Sequence, residues 1–244
     1  MRFGRMGRFL WVPLMAFALG GWVSKEEAFK DLPLGKKVSN PFPIGDVLVP
    51  LPEGEWVVAG RAVTASKGTG KAMASIALFD VQNGILRRYI WIYTNLEQSG
   101  SHWTKSSECD RKNIFHVQNE ELPQVYSHFC WTINHYRMHF DPKDSSPAVI
   151  EMSQYIRDNN IKFSNTMLGT GFYMAVGPKY LETKYYLNPE AEGISPSKNT
   201  SWDGNDWHVS RVHLSPDKLQ YAEKMKAWAA EWREKIKNGF HRKL

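Results

Sequence analysis

Asn83-Gly84, set between two long runs dense in aliphatic and aromatic residues, constrains this chain more than any other feature. Asn-Gly is the preferred pair for a two-residue hairpin turn, because both central positions need positive φ. The sequence therefore predicts strands over Ala72–Gln82 and Ile85–Asn95, with Gln82 opposite Ile85. A regular ladder from that turn sets Asp80 against Arg87, Leu78 against Tyr89, Ile76 against Trp91 and Ala74 against Tyr93. The alternate positions Ala77, Phe79, Ile90 and Ile92 are apolar as well. A strand apolar on both sides is covered on both sides, so the hairpin is expected in the middle of a sheet flanked by helices or a second layer.

Further elements follow from turn and cap residues. Leu51-Pro52-Glu53-Gly54 has proline and glycine where a type I turn prefers them, and a strand is expected over 55–65. Alternation at Phe129, Trp131 and Ile133 favours a strand over 129–140, although Val125, Phe129, Ile133 and Tyr136 also suit a helix face. Ser146-Pro147 opens a helix to about Asn159, and two strands are expected over 170–177 and 180–187. Ser215-Pro216 opens a last amphipathic helix, with Ser215 read as its cap. Its stripe is Leu219, Ala222, Met225, Ala229, Trp232 and Ile236, and Gly239 is read as its stop. The predicted class is α+β: an antiparallel meander of five to seven strands with a packed C-terminal helix and one disulfide. Residues 21–45, broken by Pro33, Gly35, Pro41, Pro43 and Gly45, read as an irregular lead-in to a single domain over 46–244.

The N-terminus reads as an address. Three arginines and no acid precede an apolar run from Phe9 to Leu19, and Ala18-x-Gly20 supplies small residues for cleavage before Gly21; Ala16-x-Ala18 is the alternative. Pro13 interrupts a run shorter than the about 20 residues that span a bilayer. Residues 1–20 are thus expected to leave as a signal peptide, placing the protein in a bacterial periplasm or outside the cell. Without the leader's arginines, 28 Lys and Arg face 25 Asp and Glu, too thin an excess to argue for nucleic acid. Cys109 and Cys130 are the only cysteines, and export makes their disulfide the default expectation.

Catalytic and metal signatures are weak. His135 and His139 have chelating spacing on a helix but lie about 13 Å apart on a strand, and His128 brings no acid, so neither a metal nor a cofactor is expected. Ser66-Lys67-Gly68-Thr69-Gly70-Lys71 lacks the first glycine and the final Ser/Thr of a phosphate loop and reads as a hairpin connection. Ser215-x-x-Lys218 matches one short motif of serine β-lactamases without its companions. Tyr89, Trp91 and Tyr93 form a row that stacks sugars or bases if exposed and is core if buried. The loop over 189–206 delivers Trp202, Trp207 and His208 in polar surroundings, which makes these three the candidate ligand-binding residues, although aromatics also pin such loops to the body. The cationic end of the last helix suits its dipole or an anionic lipid.

The Leu51-Pro52-x-Gly54-x-Trp56 turn, the two mid-chain cysteines and the Trp-rich last helix ending in Gly239-Phe240 resemble a loose group of exported, proteobacterial-like proteins with no assigned activity. The resemblance implies an envelope setting and supplies no chemistry. The expected function is a non-enzymatic envelope module that binds a small ligand, a glycan or a partner protein. A hydrolase using His208 or His213 with a distant acid is the alternative. Native mass spectrometry of the exported protein without reductant is expected to return residues 21–244 less two hydrogens; a retained leader would instead make the protein membrane-anchored.

Overall fold

The structure, a computed structural model, describes residues 24–98, 100–138 and 146–244. The predicted signal peptide and His139 lie outside the described residues. The elements in order are α1 (Lys25–Lys30), β1 (Lys37–Val38), β2 (Phe42–Ile44), β3 (Val47–Val49), β4 (Trp56–Ala65), β5 (Ala72–Gln82), β6 (Ile85–Asn95), β7 (His116–Glu120), β8 (Ser127–Arg137), α2 (Pro147–Asp158), β9 (Thr166–Val176), β10 (Lys179–Leu187) and α3 (Pro216–Phe240). Eight strands form one antiparallel sheet in the order β1-β4-β5-β6-β10-β9-β8-β7, and β2 pairs with β3 in a separate hairpin. Two meanders, β4-β5-β6 and β7-β8-β9-β10, thus join side by side through β6 and β10. This is the α+β class the sequence predicts. The lead-in is more regular than its prolines and glycines suggest: α1 carries a complete capping box between Ser24 and Glu27, and β1 pairs with β4.

The register of the central hairpin departs from a regular ladder. Gln82 faces Ile85 and Val81 faces Leu86, but Arg87 is then an extra residue, and Asp80 faces Arg88. Beyond this bulge Phe79 faces Tyr89, Leu78 faces Ile90, Ala77 faces Trp91 and Ile76 faces Ile92. The expected pairs are therefore shifted by one residue. A regular ladder would set Arg88 opposite Phe79 in an apolar layer, and the bulge sets it opposite Asp80 instead, at 2.7 Å from Nε to Oδ2. Both sides of the hairpin are nonetheless covered. Ala74, Ile76, Leu78, Ile90 and Ile92 share a cluster with α3, whereas Ala77, Phe79, Leu86 and Tyr89 share one with Met152 and Ile156 of α2. Tyr89 is core, stacked on Tyr186 at 4.4 Å between centroids.

α3 buries Ala222, Met225, Ala229, Trp232, Ile236 and Phe240, as the stripe predicts, but its first buried residue is Lys218 rather than Leu219. Lys218 Nζ reaches Asp206 Oδ2 at 3.1 Å, which brings the charge in with its partner. Ser215 and Ser146 occupy N-cap positions without making a side-chain cap bond; Pro216 and Pro147 provide the start. Gly239 does not stop α3, which runs to Phe240. It is there for proximity: a Cβ at Gly239 would lie 2.0 Å from the Leu48 carbonyl oxygen, so the helix is pressed onto β3.

Cys109 and Cys130 are disulfide-bonded and buried, tying the segment before β7 to β8 across a separation of 21 residues. A loop of that size is stabilised by about 3 kcal/mol in the chain-entropy model. No helix among the described residues is long and apolar enough to cross a membrane.

Gly239→Ala separates the two roles of that glycine. Alanine at a free helix position would stabilise by about 1 kcal/mol; here overpacking against Leu48 is expected to cost about 2 kcal/mol net. Thermal unfolding of the variant should begin several degrees lower, and a raised midpoint would show that α3 does not need this close approach.

Candidate functional site

The loop that the sequence singles out folds inward. Trp207 is buried in the main core, edge-on to Tyr221 at 5.8 Å and with Lys218 Nζ 5.8 Å above its ring. His208 is buried too, its Nδ1 2.8 Å from Ser210 Oγ and its Nε2 3.7 Å from Asp203 Oδ1. The Ser210 backbone N–H also donates to Nδ1 at 3.3 Å, so the serine and histidine belong to one tight turn. Trp202 is half-buried, sandwiched between the His135 ring at 4.3 Å and the Arg111 guanidinium at 5.0 Å. Asn205 anchors the loop by donating to Thr166 Oγ1 at 3.0 Å. The three residues are close in space, but two of them serve the core. His213 is exposed. His135 lies on β8, as the alternation favours, and no group of three His, Cys, Asp or Glu residues that could hold a metal occurs among the described residues.

A more open arrangement lies along α3. Trp228 is half-buried, and three adjoining concavities of about 630, 300 and 220 Å³ all touch it. Pro52 is common to two of them, and Leu187 and Glu192 to another two, so they form one groove. Trp228 stacks on Trp232 at 4.9 Å between centroids with planes 25° apart, and Tyr185 meets both rings edge-on at 5.7 and 6.1 Å. Residues four apart on a helix share a face, which brings the two tryptophans together.

The groove's far wall is fixed by the Pro-rich segment before β4. The Tyr185 hydroxyl donates to the Pro50 carbonyl at 2.8 Å, and Trp56 Nε1 donates to the Pro52 carbonyl at 2.7 Å. Arg88 bridges Asp80 and the Glu53 carbonyl, the latter at 2.6 Å, and lies 5.2 Å over the Trp56 ring. Gly54 suits its φ of +145°, which residues with a side chain rarely adopt, and its missing Cβ leaves room for the Arg88 guanidinium. Burial raises the Tyr185 hydroxyl above its ordinary pKa, and burial with the adjacent Glu192 carboxylate does the same for Tyr221, so both remain neutral donors. Exposed Glu53, Glu192, Lys224 and Lys235 line the same groove, giving it acceptors and donors around an aromatic floor.

Sequence reasoning passed over Trp228. The signal was the Trp228/Trp232 spacing: Trp232 fills the helix seam, and the second tryptophan one turn earlier exceeds what that seam buries. The row of Tyr89, Trp91 and Tyr93 is not the groove floor, although Tyr89 touches the smallest of its three concavities. The chain matches no family model, no curated protein and no solved structure.

The buried His135 gives the loop a pH dependence. Its Nε2 lies 3.2 Å from the Trp202 carbonyl, yet burial pushes its pKa down to about 4. The unfolded chain, with a histidine near about 6.5, takes up the proton first, so stability is complete above that pH and falls as pH drops towards 4. The loss is expected to be on the order of 3 kcal/mol, and His135→Gln should remove it. Urea midpoints of the two proteins at pH 7 and 4.5 test this: equal acid shifts would mean that His135 is not the group responsible.

Proposed function

We propose that this chain is an exported, non-enzymatic binding module of the bacterial envelope, and that it holds a glycan in the groove centred on Trp228. The observation carrying the reading is that one half-buried tryptophan, stacked on a second, serves three contiguous concavities. The C–H face of a pyranose is apolar and stacks on indole, while its ring hydroxyls need donors and acceptors at the edges. Arg88, Lys224, Lys235, Glu53 and Glu192 provide both around the aromatic floor. The prearranged hydrogen bonds of Tyr185 and Trp56 hold the wall before a ligand arrives, which lowers the ordering cost of binding.

Export rests on the arginine-flanked apolar leader at residues 1–20 and on the Cys109–Cys130 bond, which suits an oxidising compartment. The aromatic loop of the sequence reading gives way to α3 because Trp207 and His208 are taken up by packing. Periplasmic or extracellular residence is equally consistent with both features.

Tryptophan fluorescence titration with a tetramer of β-1,4-linked N-acetylglucosamine tests the site. Saturable quenching is expected for the wild-type chain, and Trp228→Ala should weaken it at least tenfold, about 1.4 kcal/mol, with far-UV dichroism unchanged. Trp202→Ala should bind as wild type. Absence of sugar binding, or equal binding by Trp228→Ala, would overturn the reading; loss only in Trp202→Ala would return the site to the 189–206 loop.

A further inference from the structure

A second cavity, separate from the Trp228 groove, opens between α1 and the β2–β3 hairpin. It has a volume of about 570 Å³, inside the roughly 300–1,000 Å³ range of small-molecule sites. Buried Phe29, Phe42, Ile44 and Leu96 line its interior. The hairpin wall is held in place: Gly45, at φ +55°, sits so close to β6 that a Cβ would be 2.6 Å from the Asn95 carbonyl oxygen, and Asn40 Oδ1 accepts from the Leu51 N–H at 2.8 Å.

The mouth is unlike the interior. Lys36 and Arg242 line it, and neither makes an ion pair among the described residues. The other charges there are spoken for: Lys25 pairs with Asp46, whose pKa that bond lowers, and Lys37 pairs with Glu55 at 2.8 Å. Arg242 is held at φ +56°, uncommon for a residue with a side chain, just past the end of α3. Its carbonyl-side neighbours fix it, with N–H bonds from Arg242 to Gly239 at 3.0 Å and from Lys243 to Asn238 at 2.8 Å.

An apolar cavity with two uncommitted cations at its opening matches a ligand with one apolar chain and one anionic end. Both cations are exposed and solvated, so a neutral chain could enter, but only an anionic end would gain charge-assisted bonds there, and a small inorganic anion would leave the apolar wall wet. We propose that this cavity binds a single-chain carboxylate amphiphile, a free fatty acid, with its carboxylate at the cationic rim to which Lys36 and Arg242 belong and its chain against Phe29, Phe42 and Ile44. Carboxylate recognition by an arginine fork and a lysine ammonium is charge-assisted and directional.

Isothermal titration of the delipidated mature chain, residues 21–244, with dodecanoate tests the proposal, with dodecan-1-ol as the uncharged probe. Saturable one-to-one binding of dodecanoate is expected, with dodecan-1-ol at least tenfold weaker. The double variant Lys36→Gln/Arg242→Gln should bind the two probes alike, and Ala28→Trp, an exposed lining position, should abolish binding without changing the circular dichroism. Three outcomes would overturn it: no saturable binding, equal affinity of the wild type for both probes, or dodecanoate binding unaffected by Ala28→Trp. A mature chain that dimerises through this face would assign the cavity to a second copy, and would overturn it too. Neither Trp228 nor its groove enters these variants, so the two sites are tested apart.

Discussion

Much of the architecture hangs on one inserted residue. Arg87 is looped out of the β5–β6 ladder, and from that point every β6 side chain takes its face of the sheet. With it, Ile90 and Ile92 face α3 while Tyr89 faces α2; a regular ladder would trade these sets against β5. The bulge aligns Asp80, 1% exposed, with Arg88. A carboxylate so deeply placed needs a partner, because an uncompensated buried charge costs several kcal/mol or about that order. Arg88 then continues outward to the Glu53 carbonyl and the Trp56 ring, so the residue that neutralises the core also shapes the groove wall.

From that hairpin the layers follow. α3 covers one face and α2 covers part of the other, and both approach the sheet where glycine permits it. Gly239 brings α3 to β3, and Gly60 brings β4 to α2, where a Cβ would lie 2.4 Å from the Ala148 carbonyl oxygen. Close approach at the end of α3 leaves Trp228, three turns earlier, over the gap between helix and Pro50–Pro52. The groove is the space left where the helix departs from the Pro-rich wall.

The sequence made the strands legible because strand periodicity and turn chemistry are local. Asn83-Gly84, Pro147, Pro216 and the alternation at Phe129, Trp131 and Ile133 all act through neighbours in the chain. The bulge was not legible in the same way. Its driving force, a buried Asp80 and an apolar Phe79, becomes visible only once the partner layers are known. α1 was missed because six residues carry too little periodicity, although Ser24-x-x-Glu27 is a capping box in plain view. The disulfide is readable from the leader-like N-terminus and the cysteine count.

How deeply the 189–206 loop packs is not legible for a related reason. Polar composition around Trp202, Trp207 and His208 suggests exposure, but a polar loop can be buried when its polar groups find partners on the neighbouring strand and helix. Asn205 bonds Thr166, Asp206 takes the Lys198 N–H and Lys218 Nζ, and Trp207 is thereby free to enter the core. The tryptophan on α3 meets the opposite condition. Trp228 stacks on Trp232 and meets Tyr185 edge-on, yet stays half-buried and lines the groove. What separates a core aromatic from a half-buried one here is whether the core has room left for it, and that is a property of the packed sheet and helix together.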